Sequence, residues 1–140
     1  MGRIVRPMLK DADGLPLVGT KAKCLGVGTT GANADVDLNP AGDVISNDKG
    51  LSVGNDWRNL PGHLIPEHLD DGSNGARGKN MAVYVHGNGT GPFAPGPFAA
   101  GLEMILKPHG VDAGVIRPVT TVPLAQYQSD FSSSKLGSWS

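Results

Sequence analysis

A single cysteine, Cys24, stands among the 140 residues of the chain. An internal disulfide is therefore excluded, and with no His or second Cys near it a local zinc knuckle is excluded too; a reducing compartment suits such a chain. No apolar run reaches the roughly eighteen residues that a bilayer-spanning helix needs, and Met1 to Lys10 lacks the apolar block of a Sec signal peptide. The expectation is a soluble, cytoplasmic protein without a membrane partner, reaching any target cell by a Sec-independent route. Charge of one sign is also missing. The net charge is -1, and the twelve basic residues form no stripe, so bulk electrostatics argues against a nucleic-acid partner. No repeat recurs at a fixed period.

What is abundant is glycine and proline, 21 and 11 residues, scattered between short apolar runs rather than concentrated in one tract. Spaced in this way they read as turns between many short strands. The length fits one domain, residues 1–140, able to bury a core without staples. Arg3 to Leu9 reads as a first strand, placed at a sheet edge or ending early because of Pro7. Lys10 to Pro16 is a turn around Asp13-Gly14. Lys21 to Val27 alternates as a second strand, Asp35 to Leu38 pairs briefly, and Asn39-Pro40-Ala41-Gly42 turns the chain. Val44 to Ser46 and Leu51 to Val53 flank the turn Asn47 to Gly50 as a small hairpin or successive edge strands. Asp56 caps a helical turn over Trp57 to Leu60, and Pro66 opens another. Asp70 to Asn80 reads as a loop. Met81 to His86 is the cleanest strand; Gly87 to Gly101 is too rich in Gly and Pro for a long element. Leu102 to Lys107 and Val115 to Val122 are further strands. Pro123 begins a helix to about Ser132, with Leu124, Tyr127, Gln128 and Phe131 on one face. The fold class expected is α+β: short strands in a curved or split sheet, a C-terminal helix and one-turn helices.

Asp43 to Pro66 is the stretch around which the rest is arranged. Ser52 stands between Leu51 and Val53, so its hydroxyl leaves the strand on the face opposite theirs. Gly50 and Gly54 flank the step and allow close approach by a ligand or by another strand.

Several familiar chemistries find no support. His63, His68, His86 and His109 are spaced by five, eighteen and twenty-three residues, which matches no zinc pattern, so no metal site is expected. Gly50-Leu51-Ser52-Val53-Gly54 matches the string of a hydrolase elbow, but Pro61 follows too soon for the helix that the elbow must lead into. Gly87 to Gly91 lacks the Lys-Ser/Thr and the helix of a phosphate loop.

Arg6, Ser52 and Glu103, each on a different expected strand, form a more economical set. Arg offers a planar fork for a diphosphate, Ser a hydroxyl against a sugar ring, and Glu a carboxylate for a ribose hydroxyl and an oxocarbenium-like transition state. That is the chemistry of glycosyl transfer from NAD. The plainer reading makes Arg6 an edge-strand charge and Glu103 the solvent-facing member of an alternating strand.

The run Arg3 to Gly14, then Gly50-Leu51-Ser52-Val53, Leu60-Pro61 with Ile65-Pro66, Ile116-Arg117-Pro118, Pro123-Leu124 and Tyr127-Gln128 resembles the small cytotoxic type VI secretion effectors with an ADP-ribosyltransferase-like fold. The resemblance implies a compact mixed-sheet antibacterial toxin that consumes NAD in the target cytoplasm and is held in check by a cognate immunity or antitoxin protein. It implies Arg6 and Ser52 as NAD-binding positions. Glu103 is the candidate carboxylate, with Trp57 and Tyr84 as rings that stack on nicotinamide or adenine; for Trp57 a core role is the stronger of its two readings. The family pattern implies a His where this chain has Ala113, so Ala113 marks either an inactive form or a site completed by His109 or Glu103. Two alternatives stand beside this reading: a non-catalytic interaction protein on the same fold, and an RNA 2′-phosphotransferase-like enzyme.

Overall fold

In the computed structural model, residues 4–19, 24–25, 36–55, 81–86, 94–107 and 113–139 are described. They contain eight strands and one helix: β1 (Ile4–Leu9), β2 (Asp43–Val44), β3 (Leu51–Gly54), β4 (Met81–His86), β5 (Gly96–Ala99), β6 (Leu102–Leu106), β7 (Ala113–Pro118), β8 (Val122–Pro123) and α1 (Leu124–Ser138). Six strands form one antiparallel sheet in the order β4-β1-β3-β7-β6-β5, and β2 pairs with β8 in a separate ribbon. The sheet curls into a half-barrel with α1 on its inner side, an α+β arrangement as expected.

Register decides which side chains look inward. Because cross-strand partners share a face and neighbours along a strand do not, Leu51 and Val53 lie with Ile116 and Gly114 of β7, which lie with Met104 and Leu106 of β6. Val5 is opposite Gly54, so Ile4, Arg6 and Met8 of β1 join this inner face, with Tyr84 and His86 across from them on β4. Ile4, Met8, Leu51, Met104 and Ile116 are wholly buried there. The opposite, outer face carries Val5, Ser52, Ala113, Val115, Arg117, Glu103 and Ile105.

Helix α1 fills the curl. Tyr127 and Phe131, four residues apart and therefore on one helical face, are completely buried with ring centroids 4.8 Å apart. Burial of two such rings contributes about 1.5–3 kcal/mol each. The Tyr127 hydroxyl donates to the carbonyl oxygen of Ile116 in β7. Pro123 sits just before the helix with φ -54° and ψ 145°, an extended residue rather than its first helical one. The helix also runs past Ser132 to Ser138.

Other expectations are corrected by tertiary pairing. Pro7 lies in a strand with neighbours on both sides; this is tolerated because β1 meets β3 only at Val5. Val44 and Leu51 do not form a hairpin with each other: β2 pairs with β8, and β3 inserts between β1 and β7. Gly96–Ala99, inside a stretch read as loop, pairs with β6 despite Pro97 because β5 is an edge strand. The strand read as running to Val122 stops at Pro118 and resumes as β8. The Asp11 and Asn39 turns form as read, each with its side-chain oxygen accepting backbone N–H groups two and four residues on. Most of the second expected strand, both one-turn helices and the Asp70 to Asn80 loop fall outside the described residues.

Gly50 makes the close approach of β3 to β7 possible. A Cβ there would overlap the carbonyl oxygen of Ile116, the same atom that receives Tyr127. Gly50→Ala is therefore expected to lower stability by about 1–3 kcal/mol, the usual cost of overpacking; urea denaturation followed by circular dichroism checks it, and an unchanged midpoint would show that the strands part at no cost.

Candidate functional site

The expected site residues separate onto the two faces of the sheet. Arg6 is on the inner face, only 7% exposed. Its Nη1 donates to the Ser52 carbonyl at 2.7 Å and its Nη2 to the Cys24 carbonyl at 3.1 Å. The fork thus serves two backbone oxygens, and its assignment to a diphosphate is corrected on that ground: the guanidinium lies in the core. Burying a charge is costly unless it is hydrogen-bonded, and the two bonds here join β1 to β3 and to the Cys24 segment.

Tyr84, across from Arg6 in the register, is likewise a core residue, 4% exposed, with its hydroxyl donating to the Gly14 carbonyl at 2.7 Å. Burial, with a smaller contribution from the Asp11 carboxylate, pushes its phenol above the usual tyrosine value. Stacking on a bound ring is not available to a side chain so enclosed. Trp57 lies outside the described residues.

The outer face holds the remaining candidates. Ser52 is half-buried and opposite Val115. Glu103 lies two strands away, opposite Arg117 and Pro97. With strands spaced about 4.8 Å apart and about 3.4 Å per residue along them, the Cα atoms of Ser52 and Glu103 are roughly 12 Å apart. They share a surface but do not meet over a single sugar. Ala113 begins β7 opposite Gly54, on the same face as Ser52.

Arg117 is the group that residue-by-residue reading passed over. Its Nε donates to Glu103 Oε1 at 2.9 Å, and its Nη1 to the Asn47 carbonyl at 3.1 Å. The side chains of Arg117 and Glu103 keep 26% and 31% of their surface exposed. The network continues through the Asn47 side chain to Asp37, which Lys49 also bonds at 2.9 Å. The Lys49 bond first, then the Asn47 bond, hold the Asp37 carboxyl below its ordinary pKa. A signal for Arg117 was present: it and Glu103 are the one charged residue in each of two consecutive strands. Once those strands pair antiparallel, the two are cross-strand neighbours.

His86, read as a member of β4 and as one of four histidines without a zinc spacing, is half-buried against Phe98 and Trp139. His63, His68 and His109 lie outside the described residues, among which no group of three or more His, Cys, Asp or Glu could hold a metal ion. Among the same residues no helix is long and apolar enough to cross a membrane. Comparison of the chain with protein-family models, with curated proteins and with solved structures gives no match.

Two outcomes test these placements. Arg6→Met leaves the Ser52 and Cys24 carbonyls without that donor and is expected to cost about 1–3 kcal/mol for each oxygen left unsatisfied, read from denaturant unfolding; a neutral result would place the guanidinium in solvent. A double-mutant cycle of Glu103→Gln and Arg117→Gln is expected to give a coupling of about 0.2–1 kcal/mol that shrinks with added salt, since both side chains are partly screened by water. Additive single effects would mean that the pair does not form in solution.

Proposed function

We propose that the chain is an NAD-consuming toxin of the ADP-ribosyltransferase-like kind, with its chemistry on the outer face of the half-barrel. The observation that carries this reading is the presence of a hydroxyl, a guanidinium and a carboxylate, from Ser52, Arg117 and Glu103, on one face of three adjacent strands. Arg117 takes the anion-binding role first assigned to Arg6: a planar cation within reach of solvent suits a diphosphate. Glu103 suits a ribose hydroxyl, and Ser52 a second polar anchor. The spread of these groups matches an extended dinucleotide better than one sugar ring. NAD would supply the scissile glycosidic bond, while the chain's own residues would bind, orient and neutralise charge.

The resemblance noted in the sequence adds the biological half of the proposal, action in a target cytoplasm and control by a cognate immunity or antitoxin protein. A second reading, a non-catalytic interaction protein on the same fold, is favoured by the pairing of Ala113 with Gly54. That pairing sets a methyl group opposite a glycine at the position where the family pattern implies a His.

Nicotinamide release from NAD by the full chain separates the two. Under the first reading turnover is measurable, falls by about 10²-fold or more in Glu103→Gln, and rises in Ala113→His. Absence of turnover in both the wild-type chain and Ala113→His, together with no heat of NAD binding in calorimetry, would overturn it in favour of the second.

A further inference from the structure

The two edges of the curled sheet are brought together by aromatic rings. β4 and β5 are the outermost strands, five positions apart in the sheet order, yet His86 of β4 stacks on Phe98 of β5 with centroids 4.1 Å apart. Trp139, immediately after α1, completes the cluster at 5.8 Å from the His86 ring and 5.6 Å from Phe98. Its backbone also forms an antiparallel bridge with His86. Phe98 and Trp139 are 7% and 3% exposed. Three elements distant in sequence therefore meet at one ring, and that ring can change its charge near neutral pH.

We propose that His86 is the pin of an acid-sensitive latch: neutral, it closes the half-barrel by joining β4, β5 and the end of α1, and protonated, it releases them. In the imidazolium both ring nitrogens carry a proton. The Nδ1 of His86 is buried with no hydrogen-bond partner among the described residues, and the Trp139 Nε1 is buried and unpartnered in the same sense. Indole N–H is a donor only, so Trp139 offers no acceptor to a protonated Nδ1. Around the ring, β1 presents apolar Ile4 opposite it and the Arg6 cation one inward position further along, and β4 itself presents Tyr84. β5 contributes Phe98, and no residue of Gly96–Ala99 is titratable. Helix α1 carries one carboxylate among the described residues, Asp130, which lies beside Gly101 and accepts the Gln126 amide, and no carboxylate contributes to the balance at His86. Burial accordingly holds His86 below its ordinary value of 6.5, only partly offset by a backbone hydrogen bond with Phe98. Attraction of the cation to the Phe98 face works the other way and does not reverse that direction.

The sign follows from linkage. A His whose folded-state pKa lies below its unfolded value leaves stability constant above about pH 6.5; stability then falls as pH drops through the folded-state pKa, because the open or unfolded form binds more protons. The chain has two tryptophans, so a Trp57→Phe background isolates Trp139 emission. Titrated from about pH 8 to 5, this emission is expected to shift to the red with a midpoint below 6.5 while far-ultraviolet circular dichroism keeps its native form. The shift is expected to vanish in Trp57→Phe/His86→Phe. Constant emission across the range, a shift that persists without His86, or simultaneous loss of the circular-dichroism signal would each overturn the latch. Should the His86→Phe chain fail to fold, proton NMR of the wild-type chain decides: a His86 midpoint below 6.5 shared by the Trp139 indole resonance supports the latch, and a midpoint at or above 6.5 overturns it.

Discussion

The structure depends on one junction, where the carbonyl oxygen of Ile116 receives the Tyr127 hydroxyl beside the empty side of Gly50. Three elements have to agree there. β7 supplies the acceptor, α1 the donor, and β3 must come close without a side chain in the way. Tyr127 and Phe131 can be buried only if the sheet curls beneath them, and the curl in turn brings β4 toward β5. A buried polar tip paired with a main-chain oxygen fixes the position of the helix more narrowly than apolar contact alone, because an unmatched phenol in the core would carry the full cost of its desolvation.

Arg6 plays the equivalent part on the other half of the sheet. Its guanidinium reaches the carbonyls of Ser52 and Cys24 and thereby ties β1 to β3 from within. The consequence for function is a division of labour between faces. The inner face holds buried polar groups whose hydrogen bonds serve the fold, Arg6 and Tyr84 among them. The outer face keeps Ser52, Arg117 and Glu103 with part of their surface available, and that is where a ligand-directed role is proposed.

The cross-strand pair of Glu103 with Arg117 also shapes what that face can do. A carboxylate bonded to a guanidinium is held in a fixed orientation, an arrangement suited to accepting a hydrogen bond from a hydroxyl. The same guanidinium, anchored on the Asn47 carbonyl, places a positive charge between the β3 side of the face and Glu103. An anionic ligand laid across β3, β7 and β6 would meet the cation in the middle and polar groups at either side.

Local chemistry was enough to determine much of this from sequence. Alternation in Met81 to His86 and around Ser52, the Asx turns at Asp11 and Asn39, and the helical spacing of Leu124, Tyr127, Gln128 and Phe131 are short-range properties, set by two-residue and 3.6-residue periods and by side chains that bond their own backbone. The sequence also showed that Ser52 projects away from Leu51 and Val53 between two side-chain-free positions. It left open what approaches Gly50, a ligand or a strand, and tertiary structure decided for a strand: β7. The same holds for Arg6, which has the composition of a ligand-binding residue and the burial of a structural one, because face and partner depend on a register between Val5 and Gly54, forty-nine residues apart. The pairing of Arg117 with Glu103, and the place of His86 between Phe98 and Trp139, were likewise decided by long-range register and curl. Which strand lies next to which, and how far the sheet curls, are set by long-range packing, and no local period encodes them.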